Sequence, residues 1–205
     1  MINTTRLRCT IGWLGMLLPW MVLILACAYG YGFPDSISQT YYFEPCITPF
    51  MIILGSAGLL LFSYKGYDRQ DDIICTLAGV FGLGICIFPC AVSVLLDANQ
   101  LVGTFQIVDG VSGWIHNICA FIFFGLLSFN SLFLFTKSSG EMTKNKKRRN
   151  VIFRVCGVGM LASFLMLLIP MPHIVWLVEA IALFFFGISW LTKADYYPWL
   201  FADEK

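Results

Sequence analysis

Six long apolar runs, separated by short polar stretches, make up most of the chain. They fall at about 11–31, 46–64, 73–93, 112–136, 151–170 and 174–192. Each is near the roughly 20 residues that an α-helix needs to cross the hydrocarbon core of a bilayer. The pattern predicts an all-α protein, with residues 1–205 forming one integral membrane bundle of six transmembrane helices. The first run could be misread as a signal peptide, because Arg6 and Arg8 precede it and Ile24–Cys27 loosely matches a lipoprotein cleavage box. It is expected to be retained as the first span.

The basic residues agree with this count. All 13 Lys and Arg fall on one side of a six-span arrangement. The connectors on the other side, 32–45, 94–111 and 171–173, contain none. Five or seven spans would break the partition. By the positive-inside rule both termini are expected on the cytoplasmic side. The chain is 59% hydrophobic and 12% charged, against about 25% charged in soluble domains, and no polar stretch is long enough to build a separate soluble core. Trp13, Tyr29, Tyr64, Trp114, Trp176 and Trp190 sit near span ends, where amphipathic rings favour the interface. Ala78 and Gly82, with Gly55 and Gly58, are candidates for close helix approach. The stretch from Lys137 to Asn150 reads as a flexible basic loop that sets orientation, with anionic headgroup binding as the alternative. The turn Pro170–His173 is very short.

Eight cysteines do not make a disulfide scaffold. Cys27, Cys75, Cys86, Cys119 and Cys156 lie inside apolar runs, and no C-x-x-C occurs. Cys46 and Cys90 fall near the same end of their helices, which leaves one bridge open.

Ionisable side chains inside spans carry the chemical information, because burying them is costly. His116 and Glu179 each lie about five residues into a span, from the same side. At 1.5 Å per residue both sit roughly 7–8 Å deep, so they can pair. The first connector on that side, Phe33–Pro45, supplies Asp35, Ser36, Ser38, Thr40, Tyr41, Tyr42 and Glu44. The next supplies Asp97, Asn99, Gln106 and Asp109. The candidate ligand-binding set is Ser38, Tyr41, Tyr42, Asp109, His116 and Glu179, and the catalytic candidates are His116, Glu179 and Ser38. The plainer readings are polar glue between helices for the buried pair and an interfacial anchor for the two tyrosines. Contact of Ser38, Tyr41 or Tyr42 with His116 distinguishes a lid from a linker. No G-x-S-x-G, H-E-x-x-H, phosphate loop or nucleotide fingerprint occurs. A metal site would have to draw on His116, His173 and Glu179, with Asp109 as an optional fourth, and zinc is open only with loop ligands; neither a metal nor a cofactor is expected.

The segments "SISQTYY", "SYKGYDRQDD", "FP" at the end of span three, "IHNICAFIFF…LFLFTKS", "KKRRNVIFRVCG" and "VEAIALFFFGISWLTK" resemble those of small bacterial six-span membrane proteins of unknown function. More remotely they are similar to the Frag/DRAM/Sfk group. That resemblance implies a lipid-related role in a bacterial cytoplasmic membrane, with Ser38 and His116 as the matching positions; "PDSIS" carries one residue more than the group's pattern. The alkaline-ceramidase-like hydrolases use seven spans and three zinc-binding histidines, which this chain, with two histidines, does not reproduce. The expected function is binding or organising lipid through an outer-leaflet polar pocket. An intramembrane lipid hydrolase or transferase is the alternative, followed by a small transporter or complex subunit. Membrane lipids are the expected partners; nothing points to nucleic acid, and protein partners are left open.

Overall fold

In the computed structural model, which describes residues 4–91, 110–138 and 140–197, the chain is helical, with no strand among those residues. The helices are α1 (Thr4–Ala28), α2 (Glu44–Phe62), α3 (Arg69–Ile87), α4 (Gly110–Phe129), α5 (Lys144–Ser163) and α6 (Ile174–Lys193). A wider turn, Asn130–Leu134, extends α4, and a tighter one, Phe164–Leu168, extends α5. All six are long and apolar enough to cross a membrane. Each packs against its neighbours in sequence, and α6 closes the ring on α1.

Several boundaries lie outside the apolar runs, because a helix can continue into polar sequence once its first turn is capped. Asp68 accepts the Gln70 and Asp71 N–H groups at 2.9 and 3.0 Å, so α3 starts before its apolar run. The Lys137 ammonium, 2.7 Å from the Asp68 carboxylate, holds that carboxyl below the usual range. Thr143 accepts the Lys146 N–H at 3.1 Å. The basic stretch 144–150 is therefore the first two turns of α5, which corrects the expectation of a flexible loop there. Arg6 and Arg8 likewise lie within α1 rather than before it.

Small residues set how closely the helices meet. A Cβ on Gly79 would fall 2.5 Å from the Phe62 backbone N and 2.6 Å from the Gly58 O, so α2 and α3 touch backbone to backbone. Gly12 and Gly187 bring α1 and α6 together in the same way. Gly82 faces the ring of Phe123, whereas a Cβ on Gly55 would meet open space, so Gly55 takes no part in this contact.

Polar side chains link α4 to the helices around it. Asn130 Nδ2 donates to Cys75 Sγ of α3, and the Ser128 hydroxyl donates to the Gly157 carbonyl of α5 at 2.7 Å. The Ser131 and Ser189 hydroxyls bond each other. Cys46 turns its thiol to the Val22 carbonyl, and all eight cysteines, Cys90 included, are free thiols.

The two ends of the bundle differ in character. At one end Arg8 donates to the Tyr64 hydroxyl at 3.0 Å and to the Lys193 carbonyl at 3.3 Å, and Lys137 meets Asp68. The described Lys and Arg gather at this end. The opposite end carries the first connector, His116 and Glu179.

Gly79→Ala is expected to force α2 and α3 apart and to destabilise the protein by about 1–3 kcal/mol. Gly55→Ala should be neutral or stabilising by up to about 1 kcal/mol. Thermal unfolding of both variants in the same detergent checks the contrast; equal midpoints would remove the role given to Gly79.

Candidate functional site

The first connector does not loop away from the bundle. It is laid across the first turns of α6. The Trp176 N–H donates to the Asp35 carbonyl at 2.9 Å, supplying an acceptor for an N–H that the helix start leaves without one. His173, in the left-handed region at φ 57°, places its imidazole 3.1 Å from the Asp35 carboxylate and 3.2 Å from the Pro34 carbonyl. Gln39 Oε1 accepts the Asp35 N–H at 2.6 Å. The connector then forms a single tight helical turn, Ser38–Tyr42, which leads into α2.

Ser38 is the first residue of that turn, and it lies between His116 of α4 and Glu179 of α6. Its Oγ is 3.0 Å from His116 Nε2 and 3.4 Å from Glu179 Oε1. Glu179 Oε2 accepts the Ile37 N–H at 2.6 Å. Ser38 and His116 are buried and Glu179 is half-buried. His116 and Glu179 are thus joined through one serine hydroxyl.

The far side of the imidazole is fixed by a proline. Pro89 follows Phe88, and a residue before proline is driven to extended backbone. Phe88 accordingly has φ −111° and ψ 96°, and its carbonyl lies 2.7 Å from His116 Nδ1. A carbonyl can only accept, so Nδ1 carries a proton. Ser112, one turn before His116 on α4, donates to the Pro89 carbonyl at 3.2 Å. The end of α3 thereby selects the tautomer of a histidine on α4.

Donor and acceptor counting leaves two consistent proton arrangements. In one, a protonated Glu179 donates to Ser38 Oγ, and the Ser38 hydroxyl donates to Nε2. In the other, His116 donates from both nitrogens, and Ser38 donates to a Glu179 carboxylate. They differ by one proton moved along Glu179, Ser38 and His116. The first points the serine hydroxyl at an imidazole nitrogen lone pair, the relation that activates a hydroxyl nucleophile. Three of the backbone donors near Ser38 that could stabilise an oxyanion are already engaged. The Ile37 N–H is on Glu179, the Gln39 N–H is on Ser36 Oγ at 2.9 Å, and the Thr40 N–H is on the Ile37 carbonyl at 3.1 Å.

Beneath the cluster is an apolar slot. Leu18, Phe50, Leu54, Ile85, Phe123 and Leu183 help to line it, and Ser38 and Glu179 are its polar end. The slot is about 30 Å3 in volume, room for a water molecule.

The remaining candidates lie apart from the imidazole. Tyr42 donates its hydroxyl to the Cys90 carbonyl at 2.6 Å, and burial pushes its ionisation well above the ordinary tyrosine range. Tyr41 is buried edge-on against Phe50 and Tyr42. Neither tyrosine hydroxyl bonds His116, so Ser38 alone of the three makes that contact. Asp109, with Asp97, Asn99 and Gln106, lies outside the described residues. His173 belongs to the Asp35 contacts rather than to His116, and no group of three potential metal ligands occurs among the described residues. The sequence reading missed the Phe88 carbonyl and the Ile37 N–H, because backbone atoms carry no residue signal. The Phe88-Pro89 step was the one available clue. No protein-family model matches the chain, and neither does any curated protein or solved structure.

Glu179→Ala should free the first connector, because the Ile37 N–H loses its acceptor at a cost of about 1–3 kcal/mol. Amide exchange at Ile37 should then accelerate by about tenfold or more. Glu179→Gln keeps an acceptor for Ile37 and a donor for Ser38, so exchange should stay near the wild-type rate. Equal rates in all three proteins would contradict the anchoring role.

Proposed function

We propose that this is an integral membrane protein that binds an amphiphilic lipid at the Ser38–His116–Glu179 end of the bundle. The observation that carries this reading is the apolar slot ending on two polar side chains, Ser38 and Glu179. Such a site matches a molecule with an apolar tail and a hydrogen-bonding head. The slot is too small for an acyl chain as it stands, so entry requires the Phe50 and Phe123 rings to part and the connector to lift. The connector acts as a lid whose closure is held by Glu179 and His116. The partition of Lys and Arg supports a cytoplasmic basic end, which puts the lid in the outer leaflet. A bacterial cytoplasmic membrane is the proposed location, on the resemblance alone.

A second reading is favoured by one distance, the 3.0 Å from Ser38 Oγ to His116 Nε2. In that reading Ser38 Oγ attacks the carbonyl of a lipid ester while His116 takes its proton; the ester C–O bond then breaks, His116 returns the proton to the departing alcohol, and water or an acceptor hydroxyl releases the acyl group from Ser38. Lid opening would have to release the Ile37 N–H from Glu179 to serve the oxyanion. The resting geometry favours binding, because that donor is occupied.

Two measurements test these readings. Lipid extracted from the purified protein should be enriched in one amphiphile over the bulk membrane, and Leu54→Trp, which fills the slot, should abolish the enrichment. Identical lipid profiles for the two proteins would overturn the binding reading. A fluorophosphonate probe that labels wild type but neither Ser38→Ala nor His116→Ala would establish the acyl-transfer reading instead.

A further inference from the structure

A cavity of about 190 Å3 lies on the flank of the bundle, between α1 and α6. Met16, Pro19 and Trp20 of α1 and Trp176, Ala180 and Phe184 of α6 build most of its wall. It is separate from the slot, which takes Leu18 and Leu183 from the same two helices. Glycines account for where the helices part. Gly12 and Gly187 let α1 and α6 touch backbone to backbone, and a Cβ on Gly187 would strike the Met16 side chain. Further towards the first connector, Pro19 and Trp20 stand opposite Trp176 and Ala180, and the bulk of the indoles holds the helices apart. Trp20 and Phe184 are exposed, on the surface that meets lipid when the six helices span a membrane.

Trp176 is 5% exposed, and its indole Nε1 has no hydrogen-bond partner among the described residues. A buried tryptophan normally finds an acceptor for that group. The ring itself is well packed, edge-on to Trp20 at 5.9 Å and to Phe33 of the first connector at 4.9 Å. Apart from the two indoles, the described wall is hydrocarbon and the Met16 thioether, and that sulfur does not take the N–H. Water does not fill the gap, because an apolar cavity of roughly 150 Å3 stays dry and takes up an apolar molecule instead. Hydrocarbon offers no acceptor of its own. The cavity therefore combines room for an apolar group with one buried donor that the protein leaves unmet.

We infer that this cavity holds an ester-linked acyl chain of a membrane glycerolipid, whose ester carbonyl accepts a hydrogen bond from Trp176 Nε1. The inference rests on the membrane reading of the six helices and not on the slot. The unmet donor selects the group. An indole N–H donates and never accepts. A fatty acid or an alcohol would bring a carboxylate or an O–H that the described wall leaves unpaired. An ester carbonyl accepts one bond and brings no donor of its own. Position agrees with chemistry. Trp176 is the third residue of α6, at the level where indoles favour the membrane interface and where glycerolipid esters lie. From Trp176 the wall continues through Ala180 to Phe184, one turn apart each, which gives a chain roughly 12 Å of apolar surface to follow.

The full chain in alkyl maltoside micelles provides the test, read as the NMR signal of the Trp176 indole N–H, which Trp176→Phe identifies by its loss. The probes are dioleoyl phosphatidylcholine and its dialkyl ether analogue, which lacks the carbonyls, at matched mole fraction. The diester should move the signal downfield and saturate, and the diether should leave it in place. Ala180→Leu fills the cavity and should raise the diester concentration at half-saturation about tenfold or more. Ile181→Trp, also in the wall, serves if Ala180→Leu fails to fold. No movement with the diester, equal movement with the diether, or an unchanged half-saturation in a folded Ala180→Leu or Ile181→Trp protein would overturn the inference. Leu54→Trp closes the slot and not this cavity, so the titration should persist in it; its loss in a folded Leu54→Trp protein would assign the signal to the slot and overturn the inference as well. The lipid profiles that test the slot do not enter this readout, so either site can fail without the other.

Discussion

An ionisable side chain at the end of an apolar bundle is tolerated only where the protein supplies its hydrogen-bond partners. Glu179 and His116 meet that constraint through the first connector. The connector brings the Ile37 N–H to one carboxylate oxygen and the Ser38 hydroxyl to the other, and the same hydroxyl reaches His116. The position of the connector and the polar end of the slot follow from that satisfaction, and the connector in turn supplies the Asp35 carbonyl to the first turn of α6. Without it, two costly groups would be stranded and the connector would have no reason to lie across the bundle.

The middle of the bundle is held by weaker and more numerous contacts. The six helices are long and apolar enough to cross a membrane, and in hydrocarbon, where helices have no hydrophobic reason to associate, close backbone approach and short polar bridges are the contacts that would hold them. The glycine contacts between α2 and α3 and between α1 and α6 supply the first. Ser128, Asn130, Ser131 and Ser189 supply the second. Each such bridge is worth only about 0.6 kcal/mol on average, so the helix arrangement rests on their sum. The two chemically distinct ends are then free to differ. One is a roofed slot with proton-sharing side chains, and the other an open cavity with charged and aromatic walls.

The cationic end shows why position and role separate. Lys193 reads in the sequence as one more charge on the basic side, and as an orientation signal it is no different from Lys137. Folding places Lys137 on the Asp68 carboxylate and Lys193 between two rings with no oxygen to meet. Residue type and spacing do not distinguish these outcomes, because the rings of Tyr67, in the connector before α3, and Phe135, at the end of the α4 extension, are far from Lys193 in sequence.

The chain's own sequence determined the six helices, the gathering of basic residues at one end and the shared level of His116 and Glu179 along the bundle. Those properties are sums over single segments, and hydropathy and charge add without reference to neighbours. The helix ends were less legible, because Asp68 and Thr143 caps extend α3 and α5 into polar sequence that hydropathy discounts. Tertiary structure alone decided that Ser38 rather than Tyr41 or Tyr42 meets His116, that the Phe88 carbonyl fixes its tautomer, and that Lys193 faces a cavity. Each of these depends on distances of about 3–5 Å between segments dozens of residues apart, and such distances are set by how helices pack and where connectors fold back.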